Sequence, residues 1–310
     1  MNPLLNRKFI FVAGKGGVGR TTVTLCIGKW AARNGKKVLI CLAHSGSRYR
    51  HVIDDSKKSV IQAIEPNLYL LNLDPVVARE EYALKIIRNQ LLHRLVFSNR
   101  YVNNFLDAIP GLSEWAMLGK ATWHVLPDAP VNERYDMVVF DSPPTGHGLD
   151  ILRLPSAIAG SVQGGLMHRD AASRVSLLSD ATRTGIVGVS LAEELPVNET
   201  IELSEELLQN GLPLSAIVVN KLLDVLPDGA EAFCDSDCPQ NQKQRGQPWA
   251  RPAMLKREQR KEQLIHMQRL TKRISVPLLQ LPRLDDANLN RESLNALTDH
   301  LADEFRRHSL

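Results

Sequence analysis

The sequence predicts an α/β fold with a mostly parallel central sheet and helices on both faces, and three observations carry that prediction. Short apolar runs recur along the chain, at Phe9 to Ala13, Val38 to Leu42, Leu68 to Leu73, Met137 to Phe140, Ile186 to Val189, Ile217 to Val219 and Leu278 to Leu281. Near-continuous runs of this kind mark strands buried on both faces. Stretches of helical spacing separate them, which is the alternation that builds a parallel sheet. Finally, the first run leads straight into Gly14-Lys15-Gly16-Gly17-Val18-Gly19-Arg20-Thr21-Thr22, a strand feeding a phosphate-binding loop.

The elements follow in order. Thr22 to Asn34 has Val23, Ile27, Trp30 and Ala31 at helical spacing, and Gly35 stops it where a left-handed cap is wanted. Strand, loop, helix and the strand Val38 to Leu42 make a right-handed βαβ unit. Pro75 to Leu126 holds no convincing strand and predicts a helical subdomain (75–126) anchored by Leu91, Leu92, Leu95, Val96, Phe105, Leu106 and Trp115. Those side chains either pack down on the sheet or line a groove for a hydrophobic client, with Met117 and Met167 the methionines at lining positions. Pro227 to Pro252 is rich in Pro, Gly, Asp, Gln and Cys, which predicts a flexible excursion (227–252) before a basic helix. Leu294, Leu297, Leu301 and Phe305 form a core-facing stripe on the last helix. The whole chain, 1–310, is expected to be a single domain.

Composition narrows the class. With 310 residues, 44% hydrophobic and 23% charged, the chain has the balance of a soluble globular protein with a sizeable core. No apolar run reaches the length of a membrane span and no secretory signal precedes the first strand, so a cytoplasmic location is expected. Four cysteines fit a reducing compartment: Cys26 and Cys41 lie in apolar elements, and Cys234 and Cys238 form a local pair. The net charge of +4 is unevenly spread, with ten Lys/Arg against two Glu between Lys243 and Arg273. That stretch is a solvated helix face or a partner surface. Lacking interleaved aromatics beyond Trp249, it gives no reason to expect nucleic acid.

The loop carries the chemistry. Its backbone N–H groups, from Gly14 through Gly16, Gly17, Val18 and Gly19 to Thr21 and Thr22, can wrap the phosphates of a nucleotide, and Thr21 offers a hydroxyl to magnesium. Arg20 stands where such loops carry lysine. It keeps the charge but replaces a compact ammonium with a planar fork. Asp141, at the end of Val138-Val139-Phe140-Asp141, is placed to hold magnesium beside Thr21.

Two segments together give a resemblance. Lys15 after the first glycine, in Lys-Gly-Gly-Val-Gly, is the deviant form of the Walker loop. Asp141-Ser142-Pro143-Pro144-Thr145-Gly146-His147, followed by Leu154-Pro155, looks like a switch II segment. The chain thereby resembles the ArsA family, the arsenite-pump and tail-anchored-protein-targeting ATPases. The resemblance implies a P-loop fold, ATP or ADP with Mg²⁺, and a homodimer or a heterodimer with a related ATPase. In such a dimer Lys15 reaches the partner's nucleotide. It also implies that Asn220 reads adenine, that Glu193 sits near the ribose, and that Pro282 opens the adenine loop. Cys234 and Cys238 stand where targeting members carry a zinc pair; their spacing leaves open both zinc (Zn²⁺) and reduced surface thiols.

One departure bears on catalysis. The family's switch I aspartate orients the attacking water, and this chain has His44 in its place, within Ala43-His44-Ser45-Gly46. His44 is a candidate proton acceptor or an inert polar residue. Changing both Arg20 and the carboxylate acts on charge stabilisation and on positioning. The expected function is an adenine-nucleotide-binding ATPase or nucleotide-gated subunit with weak or partner-dependent hydrolysis. The alternatives are an inactive pseudo-ATPase scaffold of a heterodimer and a chaperone for hydrophobic membrane-protein segments.

Overall fold

The computed structural model describes residues 4–43, 59–87, 109, 111–143, 150–224, 250–284 and 290–310. Its strands are β1 (Phe9–Ala13), β2 (Val38–Leu42), β3 (Ile61–Glu65), β4 (Leu68–Asn72), β5 (Met137–Asp141), β6 (Thr184–Leu191), β7 (Leu214–Leu222) and β8 (Leu278–Pro282). They form one sheet in the order β3-β4-β2-β5-β1-β6-β7-β8. Every pairing is parallel except that of β3 with β4. The described helices are α1 (Arg20–Arg33), α2 (Pro75–Ile87), α3 (Leu112–Trp123), α4 (Asp150–Ser161), α5 (Gly165–Ser179), α6 (Glu194–Gln209), α7 (Ala250–Arg273) and α8 (Arg291–Arg307).

Strand β1 shows why the apolar runs are continuous. Successive side chains of a strand point to opposite faces. Ile10 and Val12 join the core under α1 and α8, while Phe9, Phe11 and Ala13 join the core under α3, α4 and α5. Both faces are covered, so no position can be polar. On the first face Trp30 of α1 meets Phe305 of α8 with ring centroids 4.3 Å apart. Leu294, Leu297, Leu301 and Phe305 are all buried there, as their spacing predicts. Helix α1 sits unusually close to the sheet, because a Cβ on Gly28 would lie 2.4 Å from Ile40 Cδ1. A third cluster joins α6 and α7 to the outer strands through Val197, Ile217, Val219, Leu270 and Ile274.

Strand β3 is the element the sequence does not reveal. Ile-Gln-Ala-Ile-Glu lies at the sheet edge with most side chains partly or wholly exposed, so it has no apolar run to announce it. Its signal is the two-residue Pro66-Asn67 turn, where Asn67 takes φ 61° and reverses the chain into β4. Between Pro75 and Leu126 the described residues hold helices α2 and α3 and no strand. Trp115 is buried, edge-on to Tyr82 at 5.8 Å, with the Arg174 guanidinium of α5 5.1 Å from its ring centroid. Met117 is buried as well and Met167 half-buried, so Met117 lines no open groove. Residues 91–106 of that expectation lie outside the described residues, as does the excursion up to residue 249. No described helix is long and apolar enough to cross a membrane.

Candidate functional site

The loop leaves the carboxyl end of the central strand and runs into the N-terminus of α1. Two glycines are required by its geometry. A Cβ on Gly14 would lie 2.4 Å from the Val189 carbonyl oxygen of β6, and one on Gly19 would lie 2.2 Å from Asn220 Nδ2. Gly17 and Gly19 take φ 87° and 97°, so left-handed residues flank Val18. Alternating backbone hands of this kind turn successive N–H groups toward one concavity, and the dipole of α1 adds positive potential there.

The end of β5 lies beside this concavity. Thr21 Oγ1 donates to Asp141 Oδ2 at 2.6 Å, and Asp141 is 3% exposed. A hydroxyl and a carboxylate in contact form a hard-oxygen pair of the kind magnesium takes, with nucleotide and water completing the shell. These two residues therefore fit the ion. Among the described residues no cluster of three or more His, Cys, Asp or Glu forms a metal site of another kind.

Arg20 is anchored on the segment that follows β5. Its Nη1 donates to Ser142 O at 3.0 Å, Ser142 Oγ at 2.8 Å and Pro143 O at 2.9 Å, and the residue is 8% exposed. Burial pulls its pKa below the usual guanidinium value, and the Asp141 carboxylate opposes that shift. The charge remains, because a guanidinium does not titrate in a protein. Its place is under the segment that follows β5, where it ties the start of α1 to Ser142 and Pro143.

The other sequence-predicted residues fall around the same edge of the sheet. Lys15 is ion-paired with Glu199 of α6, both side chains being partly exposed. Glu193 is the N-cap of α6, exposed and making no capping hydrogen bond. Asn220, 4% exposed, donates from Nδ2 to Val18 O at 2.9 Å and accepts at Oδ1 from Lys221 N at 2.9 Å. Pro282 ends β8 opposite Leu222 of β7. Glu193, Asn220 and Pro282 thus lie at the carboxyl ends of β6, β7 and β8, the edge where open α/β sheets bind ligands. His44, Cys234 and Cys238 lie outside the described residues. Cys26 and Cys41 are buried; burial pushes the Cys26 thiol up to about 12 and the Cys41 thiol further up.

Sequence reasoning missed Ser142 and Pro143 as acceptors for Arg20, Glu199 as the partner of Lys15, and Lys221, whose Nζ donates to Gly17 O at 3.3 Å. Each is far from its partner along the chain. Lys221, which follows Asn220, and Ser142 and Pro143, which follow Asp141, had an adjacent signal; Glu199 had none.

A strand, a glycine loop, a helix N-terminus and a hydroxyl–carboxylate pair define a nucleotide-binding protein of the P-loop class. The profile of the ArsA family, described as anion-transporting ATPase, matches residues 7–166 and 165–248. The chain belongs to that family. It is 29% identical over 246 residues to the arsenical pump-driving ATPase of Acidiphilium multivorum, covering 74% of this chain and 41% of that protein. It is 28% identical over 243 residues to the protein of the same name from Escherichia coli, covering 73% and 41%. With ATPase ASNA1 homolog 1 of Paramecium tetraurelia it shares 25% identity over 268 residues, 74% of this chain and 78% of that one. The chain therefore spans about two fifths of the length of the arsenical pump-driving ATPases it matches.

Proposed function

We propose that this chain is a nucleotide-gated subunit of the ArsA family that binds MgATP or MgADP and hydrolyses ATP weakly, or only with a partner subunit. The observation that carries this reading is the position of Arg20. Three oxygens of Ser142 and Pro143 accept from its Nη1, so the loop cation is tied to the segment after β5. In phosphoryl transfer most of the barrier lowering comes from charge placed in advance around the transferring group. A guanidinium held through Nη1 by buried hydrogen bonds is less free to follow the transferring group than the ammonium of a lysine.

The remaining parts support binding. The loop N–H groups and the α1 N-terminus hold the phosphates. Thr21 and Asp141 would hold magnesium, which would supply charge neutralisation at the phosphates. Asn220, Glu193 and Pro282 border the base and ribose. Lys15 leaves Glu199 and crosses to a second subunit when two copies, or this chain and a relative, close around nucleotide. The chain acts as one domain, 1–310, in the cytoplasm. The same Arg20 contacts favour a second reading, in which this chain is the non-hydrolysing half of a heterodimer.

The experiment compares MgATP binding and phosphate release for wild type, Arg20→Lys and Lys15→Ala. Binding with slow release in wild type, and faster release in Arg20→Lys, is the expected result. Rapid release by isolated wild type would remove the weak-hydrolysis reading. Failure to bind any adenine nucleotide would remove the nucleotide-gated reading altogether.

A further inference from the structure

Lys221 is a residue that no part of the nucleotide reading uses, and its backbone is unusual. It lies in β7 with φ 56°, in the left-handed region that a non-glycine residue occupies at a cost its surroundings must offset. The β7–β8 pairing shifts register between Val219 and Leu222, around this residue. Gln263 of α7 holds the distorted turn from outside, donating from Nε2 to Lys221 O at 3.3 Å and accepting at Oε1 from Leu223 N at 3.0 Å. The distortion turns the Lys221 side chain back over the loop, where Nζ reaches Gly17 O. Its neighbour Asn220 holds Val18 O. Two consecutive residues thus grip two consecutive carbonyls.

The consequence follows from peptide geometry. In a trans peptide the C=O of one residue and the N–H of the next point in opposite directions, and the described chain has no cis peptide. Holding the Gly17 carbonyl outward on Lys221 directs the Val18 N–H inward. Holding the Val18 carbonyl outward on Asn220 does the same for the Gly19 N–H. An ammonium on the outer carbonyl also polarises that peptide and makes its N–H a stronger donor.

We propose that Asn220 and Lys221 form a clip that presets the Val18 and Gly19 N–H groups for phosphate, with Lys221 as its charged half. The inference rests on the nucleotide reading above and adds a positioning residue to it. The ligand it concerns is the polyphosphate, whatever base is attached. Lys221 need not touch the nucleotide. Its ammonium is placed on the Gly17 carbonyl oxygen at 3.3 Å.

The test uses the full chain and titrates Mg-pyrophosphate, MgATP and adenosine, the last by competition, into wild type, Lys221→Ala, Lys221→Met and Lys221→Gly. The glycine variant keeps the left-handed backbone and removes only the side chain. Melting temperature without ligand is recorded for each. All three variants should bind pyrophosphate and MgATP about tenfold more weakly, the loss expected for one charge-assisted hydrogen bond. Adenosine affinity should be unchanged, and Lys221→Gly should melt no lower than Lys221→Ala. Wild-type pyrophosphate affinity in Lys221→Gly would overturn the clip, and so would an equal loss for adenosine, which would mark Lys221 as a base or ribose contact. Wild type that binds neither MgATP nor pyrophosphate would remove the nucleotide reading itself; bound ligand with unaffected variants would remove the clip alone.

Discussion

Arg20 shows how one side chain changes the work of a loop. A lysine in its place would have a flexible stem and three donors free to follow the phosphates. The arginine instead donates from Nη1 to Ser142 O, Ser142 Oγ and Pro143 O in a buried setting. Removing it in Arg20→Ala leaves those acceptors without a donor, and a loss of about 1–3 kcal/mol in urea unfolding is expected. An unchanged unfolding midpoint would show that the contacts are not made in solution. Cys26 gives a second prediction at this scale. Its thiol is held protonated in the fold, with a pKa of about 12 against an ordinary 9.0, because burial disfavours the thiolate. The folded chain therefore binds this proton more tightly than the unfolded chain, and its contribution is fully present below pH 9 and lost as pH rises toward 12. Alkylation of Cys26 at pH 8 should accordingly track unfolding and not thiol ionisation, which mass spectrometry of partially unfolded samples will show.

At the scale of elements, α1 connects the site to the core. Its first residue is Arg20, its middle touches β2 through Gly28, and its last turns pack on α8 through Trp30. Gly28→Val would drive a side chain into Ile40 and either move the helix off the sheet or strain the core, at about 1–3 kcal/mol. Phe305→Ala would empty a fully buried ring site beside Trp30 at about 3–5 kcal/mol. If helix α1 transmits packing to the loop, the glycine variant should also weaken MgATP binding, whereas the α8 variant should lower stability with little change in affinity once folded. Calorimetry on both separates the two effects. Much of this level was legible beforehand. The continuous strands and the α8 stripe were read from spacing, because burial on two faces or one stripe leaves a period in the sequence. Strand β3 was not, because an exposed edge strand needs no apolar run and is set by its turn and its partner β4.

At the scale of the whole molecule the question is what Lys15 does. Its ion pair with Glu199 is 42% and 35% exposed at the two side chains, and such pairs contribute about 0–1 kcal/mol. The pair therefore holds Lys15 only weakly, which is compatible with its proposed transfer to another subunit. Sedimentation with MgATP should give a dimer for wild type and a monomer for Lys15→Ala, with Glu199→Ala dimerising at a nucleotide concentration lower by no more than about fivefold. A wild-type monomer at saturating MgATP would mean that the partner is a different chain.

The sequence by itself determined the family, the parallel sheet, the loop, and the residue types proposed for the phosphate, magnesium and base positions. These are written locally, since a glycine, a threonine or a strand-end aspartate acts through its own backbone position. Tertiary structure alone decided where the side chains point. Arg20 meets Ser142, Lys15 meets Glu199 and Lys221 meets Gly17 across separations of 122, 184 and 204 residues. No periodicity encodes such contacts, because they arise only when β5, α6 and β7 are brought to one edge of the sheet. The substitution at residue 20 was visible from the first strand; that it ties the loop to the segment after β5 became visible only in the fold.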